Sequence, residues 1–250
     1  MSNDLSVIII AKNEERVIRK TLESVHGWAD EIIVFDSGSS DATVEICRQY
    51  TDKVFETDWP GYGRQKNRAL DQATKKWVLS LDADESVTEE LKNEIDRVLA
   101  QQGSYSGYKI PVRLLYFGRY IRSLLKKRPL ILFQRQFARF TDADVHERII
   151  VSEGRIGKLR GNILHDSYED YYHQNIKLTK YAQLWATQAY SDGKRSSLGS
   201  AVSHGLWMFI RGALIERAFM DGWRGLLLAF VHAQYTFNKY AILKTLEHQD

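Results

Sequence analysis

In the first hundred residues, short apolar runs alternate with stretches of helical periodicity, and this alternation constrains the fold more than any other feature of the chain. Residues 5–11, Leu-Ser-Val-Ile-Ile-Ile-Ala, are nearly all apolar and rich in β-branched side chains. Such a run reads as a central strand covered on both faces. Residues 31–35, 53–56 and 77–81 read as three further strands. Between the first two, Val17, Ile18, Leu22 and Val25 share one helical face. Ser40 is placed to cap a second helix running to about Tyr50. Strand and helix in alternation predict an α/β fold with a mostly parallel sheet and right-handed crossovers.

Three of these strands end in polar residues: Asn13 and Glu14 after the first, Asp36 after the second, Asp82, Asp84 and Glu85 after the fourth. Open α/β sheets bind ligands at the carboxyl ends of their strands, so these residues are expected to meet at one edge. Two carboxylates flanking one small residue suit a hard divalent cation, Mg²⁺ or Mn²⁺, which shares oxygens with substrate phosphates. Asp-x-Asp alone reads equally well as an acidic loop before a helix, and Ser86 with Glu89 has the form of a capping box. Gly61-Tyr-Gly63 lacks the third glycine of a dinucleotide fingerprint, and no phosphate-binding Gly-x-x-x-x-Gly-Lys-Ser/Thr occurs.

Composition narrows the classes. A net charge of +3 over 250 residues argues against a nucleic-acid binder. Cys47 is the single cysteine, so no disulfide framework exists, and core packing inside the second helix is its expected role. The start, Met-Ser-Asn-Asp, has no basic and apolar leader. No apolar run reaches the ~18 residues needed to span a bilayer. The expectation is a cytoplasmic protein in which residues 1–165 form the α/β, ligand-binding domain and 166–250 a helical extension.

Beyond a helix from about Val87 to Gln102, ended by Gly103, strands are expected over residues 108–113, 130–133 and 137–140. A basic run follows the same stretch: Arg113, Arg119, Arg122, Lys126, Lys127, Arg128, Arg135 and Arg139. It reads either as a solvated face or as a cradle for an anionic ligand, since arginine forks suit phosphate and carboxylate. On the plainer of two readings, Asn67 and Arg68 make a solvated helix face and Ser39 and Asp41 shape a turn and a helix start; on the other they belong to the site. From residue 166 the pattern is helical and aromatic, with breaks at residues 191–193 and 221–225. That region either packs on a neighbour or offers an amphipathic platform, across residues 197–250, to a membrane surface.

Taken in order, Ser-Val-Ile-Ile-Ile-Ala-Lys-Asn-Glu, Val-Phe-Asp-Ser-Gly-Ser-Ser-Asp, Lys-Asn-Arg-Ala-Leu and Leu-Asp-Ala-Asp-Glu resemble the blocks of GT-A, family 2 glycosyltransferases. The resemblance implies a Rossmann-like mixed sheet flanked by helices, and inverting transfer from a uridine-diphosphate sugar with a divalent metal. It implies donor contacts at Ala11, Asn13, Glu14, Asp36, Ser39, Lys66 and Asp82, and metal ligation by Asp84 and Asp82. Some enzymes of this fold add a late histidine to the metal, which here is His165. Phe117-Gly-Arg, Leu132-Phe-Gln-Arg135, Val145-His-Glu147 and Ile163-Leu-His165 resemble a narrower branch that glucosylates the first heptose of lipopolysaccharide core. Inverting transfer needs one base to deprotonate the acceptor hydroxyl. The resemblance puts that role on Glu147, with Asp144 second and His146 orienting it or binding the acceptor. The alternatives are a polyprenyl-phosphate glycosyl synthase and a non-catalytic nucleotide-sugar-binding protein.

Overall fold

The computed structural model describes residues 4–101, 105–121, 128–142 and 147–247. The expected helix end at Gln102 and Gly103, the base candidates Asp144 and His146, and Arg122, Lys126 and Lys127 lie outside the described residues. The chain separates into two compact units, Met1–Arg113 with Lys127–Asp166, and Leu114–Lys126 with Ser167–Asp250.

The elements run β1 (Leu5–Ala11), α1 (Ile18–Val25), β2 (Glu31–Asp36), α2 (Thr43–Cys47), β3 (Val54–Glu56), α3 (Tyr62–Gln72), β4 (Trp77–Asp82), β5 (Glu85–Val87) and α4 (Glu89–Ala100). They continue as β6 (Tyr105–Lys109), β7 (Val112–Tyr116), β8 (Arg119–Tyr120), β9 (Leu130–Gln134), β10 (Ala138–Phe140), β11 (Ile149–Val151), β12 (Arg155–Lys158) and β13 (Ile163–His165). Three long helices follow: α5 (Tyr171–Ser191), α6 (Leu198–Ile210) and α7 (Gly222–Leu246).

In the first unit, seven strands form one mixed sheet in the order β12-β6-β9-β4-β1-β2-β3. The β1, β2, β3 and β4 ladders are parallel, and β9 runs antiparallel to both β4 and β6. Strand β1 lies at the centre, and its alternation serves two cores. Leu5, Val7 and Ile9 pack in a cluster with Ile18 and Leu22 of α1 and Leu91 of α4. Ile8 and Ile10 pack in another with Ala69 and Leu70 of α3. A strand covered on both faces must be apolar at every position, which is why its sequence reads as a continuous run. The exception is Ser6, which is fully buried and donates its hydroxyl to Glu31.

Several local expectations give way to better hydrogen bonds. Helix α2 is one short turn and a half, not a helix to Tyr50. Ser40 does not cap it; its N–H and hydroxyl both reach Asn13 Oδ1. Ser86 is taken into β5, which pairs with β13, so Thr88 caps α4 by accepting from the Leu91 N–H at 3.3 Å. The expected strand at 108–113 is split at Ile110 and Pro111 into β6 and β7. Proline has no N–H to give a ladder there.

In the second unit, Leu114, Tyr116 and Ile121 bury with Ala213, Ala218, Leu228 and Ala229. The Tyr116 hydroxyl donates to Gln174 of α5 at 2.6 Å. Helices α6 and α7 approach closely, since a Cβ on Gly205 would lie 3.2 Å from Phe237 Cβ and 3.3 Å from the Ala233 carbonyl. A π-turn at Arg211–Ile215, Arg217 in the left-handed region and a 3₁₀ turn at Ala218–Asp221 connect them. Among the described residues, no helix is long and apolar enough to cross a membrane.

Glu31 ties the sheet to the loop before β4. Its carboxylate accepts from Ser6, Lys53, the Thr74 N–H at 2.9 Å and the Thr74 hydroxyl at 3.0 Å. Burial pushes its pKa up, but Lys53, Ser6 and Thr74 outweigh that and hold it below the usual carboxylate value. A depressed carboxylate stabilises the fold fully above its unfolded pKa and loses that contribution as pH falls through the folded value. Glu31→Gln is expected to cost about 1–3 kcal/mol in urea unfolding at neutral pH, with the gap to the parent closing under acid conditions.

Candidate active site

The three parallel strands β2, β1 and β4 stop in register. Ala11 lies opposite Asp36, and Ile10 opposite Asp82, so two carboxylates from distant parts of the chain flank the end of β1. Ala11 is buried, and its carbonyl accepts from the Ser37 N–H at 2.9 Å. Asp36 is also buried; one oxygen accepts from the N–H groups of Gly38 and Ser39 at 2.9 and 2.8 Å, and the other from the Ser39 hydroxyl. Asn13 sits at φ 55°, a left-handed conformation that asparagine tolerates better than most residues. There its Oδ1 accepts from the Ser40 N–H, and its own N–H donates to Ser39 Oγ, both at 2.8 Å. The Glu14 N–H donates to Thr43 Oγ1 at 2.8 Å, and Asp41 accepts from the N–H groups of Glu15 and Thr43. The loops after β1 and β2 are therefore sewn into one rim.

Four successive residues of α3 hold the opposite side. Gln65 is fully buried and donates to Ser37 and Thr57 at 3.0 and 2.8 Å. Lys66 is buried, and its ammonium lies 2.9 Å from Asp82 Oδ1 and 2.8 Å from Glu147 Oε1. Asn67 donates to the Phe140 carbonyl at 2.9 Å and accepts from the Phe140 N–H at 3.0 Å. Arg68 pairs with Asp58 at 2.8 Å. Asn67 is thus no solvated helix position: it fixes β10, the strand that leads to Glu147. Beyond it, the Thr141 N–H donates to the Arg148 carbonyl at 2.9 Å. Burial of Lys66 works against its charge, but Asp82 and Glu147 outweigh it and push the pKa upward. The ammonium stays charged.

The Asp-x-Asp segment forms a second cluster. Asp82 remains half exposed, whereas Asp84 is largely covered and lies 3.1 Å from His165 Nε2. Strand register explains the meeting: His165 on β13 stands opposite Glu85 on β5, and the Asp166 N–H donates to the Asp84 carbonyl at 2.9 Å. Burial opposes protonation of His165, but Asp84, Glu85 and Asp82 overcome it and lift the imidazole to about 9. Burial, followed by repulsion from Asp82, raises the Glu85 carboxyl well above its usual range. Among the described residues, no three His, Cys, Asp or Glu side chains are arranged to hold a metal by themselves.

The structure brings Asp36, Lys66, Asp82 and Glu147 to one sheet edge, with Asp84 and His165 beside them and Asn13, Glu14 and Ser39 on the rim. The sequence reading passed over Gln65 and Thr43, and named Glu85 only as part of the acidic end of the fourth strand. Gln65 lies between Arg64 and Lys66, which gives little local sign of its burial, and the Thr43 contact depends on two loops meeting in space. Part of the basic run is already paired, since Arg139 bridges to Asp71.

A mixed sheet with carboxylates at its carboxyl edge and helices on both faces is of the GT-A type, and the comparisons agree. Residues 6–149 match the family model described as glycosyl transferase family 2, and the chain belongs to that family. It is 30% identical over 95% of its length to LpsC of Rhizobium meliloti, a lipopolysaccharide core biosynthesis glycosyltransferase, covering 93% of that protein. It is also 30% identical to an uncharacterized glycosyltransferase of Rickettsia typhi, over 97% of this chain and 87% of the relative. The fold resembles that of S. aureus TarS residues 1–349, with a TM-score of 0.52, 18% identity, and coverage of 100% of this chain and 92% of that one.

Asn67 has a testable share in this construction. Asn67→Ala removes a reciprocal pair of hydrogen bonds to a strand backbone and leaves one N–H and one carbonyl of Phe140 without those partners. The expected loss is about 1–3 kcal/mol of unfolding free energy, measured in urea, with an unchanged far-ultraviolet spectrum.

Proposed function

We propose that the protein is an inverting glycosyltransferase that moves a hexose, glucose in the first instance, from a uridine-diphosphate sugar to the inner core of an anionic lipopolysaccharide-type acceptor. The observation that carries the reading is the buried Lys66 ammonium held between Asp82 and Glu147 at the carboxyl edge of the sheet. A cation and a carboxylate side by side at that edge suit a leaving diphosphate and an attacking hydroxyl. Family membership and the 30% identity to LpsC support the reaction class and the acceptor class. TarS was solved with UDP-GlcNAc, which supports a uridine-diphosphate donor here. The acceptor would be met at the cytoplasmic face of a membrane.

In this reading Asn13, Glu14, Asp36 and Ser39 bind the base and ribose, and Ala11 lines the floor. Glu147 removes the proton from the acceptor hydroxyl as that oxygen bonds to the anomeric carbon. The bond from that carbon to the phosphate oxygen breaks in the same step, and the diphosphate leaves with the electron pair. Lys66 supplies positive charge toward that diphosphate. Asp144 and His146, next to Glu147 in sequence, remain candidates for a second base and an acceptor contact.

Asp84 and Asp82 offer hard oxygen ligands one residue apart, a donor set that fits Mg²⁺ or Mn²⁺ completed by phosphate oxygens. Such an ion would neutralise charge on the leaving diphosphate. His165 could join it only after surrendering the proton that Asp84 now stabilises.

The test is a thermal-shift titration with uridine diphosphate, with and without Mn²⁺, combined with donor turnover. The parent is expected to be stabilised more strongly when metal is present, and Asp84→Ala to lose that metal increment. Glu147→Gln should keep the stabilisation while turnover falls about a hundredfold or more. A Glu147→Gln enzyme with full turnover would remove that residue as the base.

A further inference from the structure

Helix α6 is amphipathic the wrong way round for a helix whose work is done inside the protein. The residues it buries are small: Ala201 and Gly205, with Gly205 against Phe237 and Ala233 of α7. Its large apolar residues face solvent at a helical spacing, Leu198, Val202, Leu206 and Ile210. Trp207 extends this face, and Leu206 and Trp207 are 58% and 56% exposed. The surface continues across the connection into α7 through Phe219, Met220 and Trp223, all of them exposed. Apolar patches of this extent on one face mark a surface that meets something else.

Charge decides what covers it. Residues 194–250 contain seven Lys or Arg and four Asp or Glu, a net +3, so the whole net charge of the chain lies in this stretch and the remainder is neutral. Arg217 is exposed, Arg211 is exposed and pairs with Glu216 at 2.9 Å, and Arg224 lies against the Trp223 ring at 4.5 Å while its Nε donates to the Phe117 carbonyl at 2.9 Å. A second copy meeting this face about a two-fold axis would bring the same net positive stretch against itself. Anionic headgroups would neutralise it while Leu206, Trp207 and Met220 entered the acyl boundary. Tryptophan beside arginine is the pairing that suits the headgroup level of a bilayer. No described helix can span a bilayer, so the contact is one of lying on the surface.

We propose that the exposed face of α6 and the α6–α7 connection is a docking surface for an anionic lipid bilayer. It uses no residue of the donor site and stands whether or not the donor is a uridine-diphosphate sugar. The experiment is flotation of the full chain with phosphatidylcholine vesicles, with and without phosphatidylglycerol. The parent is expected to float with the anionic vesicles, and to be released by salt. Leu206→Glu combined with Trp207→Glu should lower vesicle partition about tenfold or more while leaving thermal stability and the response to uridine diphosphate unchanged. Both positions are exposed, so the fold tolerates the charges. Failure of the parent to bind anionic vesicles, or equal binding by the variant, overturns the proposal. So does a dimer in sedimentation velocity that the same substitutions dissolve without any vesicle binding, which would give the face to a second copy.

Discussion

The candidate site depends on one buried cation. Lys66 is withdrawn from water on α3, and burial of an ammonium is tolerable only when its charge is compensated. Asp82 at the end of β4 and Glu147 before β11 provide that compensation at 2.9 and 2.8 Å. Removing either carboxylate would leave the ammonium short of its balance, and removing the ammonium would leave two carboxylates in mutual repulsion. The three groups therefore constrain one another, although 65 positions separate Asp82 from Glu147 in the sequence. What looks like a catalytic arrangement is also a structural clasp between a helix, a sheet edge and a loop.

The neighbours of Lys66 make the clasp rigid. Gln65 binds the Ser37 and Thr57 hydroxyls, and Asn67 binds the backbone of Phe140 in both directions. Side chains that point different ways from consecutive helical positions can fasten one helix to several loops at once. The rim built by Asn13, Ser39, Asp36 and Thr43 is fastened in the same manner, by side chains closing on N–H groups of the adjoining loop. The carboxyl edge of the sheet is thus preorganised before any ligand arrives, which is what electrostatic stabilisation of a developing charge requires.

Much of the first unit was legible in the sequence because its physics is local. Apolar runs of five to seven residues bounded by polar turns are the length of buried strands, and β1, β2 and β4 lie where residues 5–11, 31–35 and 77–81 put them. Polar residues at the ends of parallel neighbours must share an edge, so the meeting of Asp36 and Asp82 followed from topology. The misreadings arose where a side chain had two possible partners. Ser40 has the right spacing to cap a helix, yet Asn13 from another loop captures it. Ser86 has the form of a cap, yet β13 pairs with its backbone and leaves the cap to Thr88. Asn67 looks solvated in any helical projection, because nothing local announces that β10 will pass beside it. The Lys66–Glu147 pair was likewise invisible, since loop residue and helix residue meet only in three dimensions.

The claim that a single buried ammonium joins Asp82 and Glu147 into one unit is most directly tested by a double-mutant cycle on Lys66 and Glu147, with Lys66→Met and Glu147→Gln compared singly and together in urea unfolding. The account predicts a coupling of about 0.5–3 kcal/mol, so that the double variant loses less than the two single variants combined. Strict additivity would mean that the two side chains do not sense each other in solution, and would contradict the account.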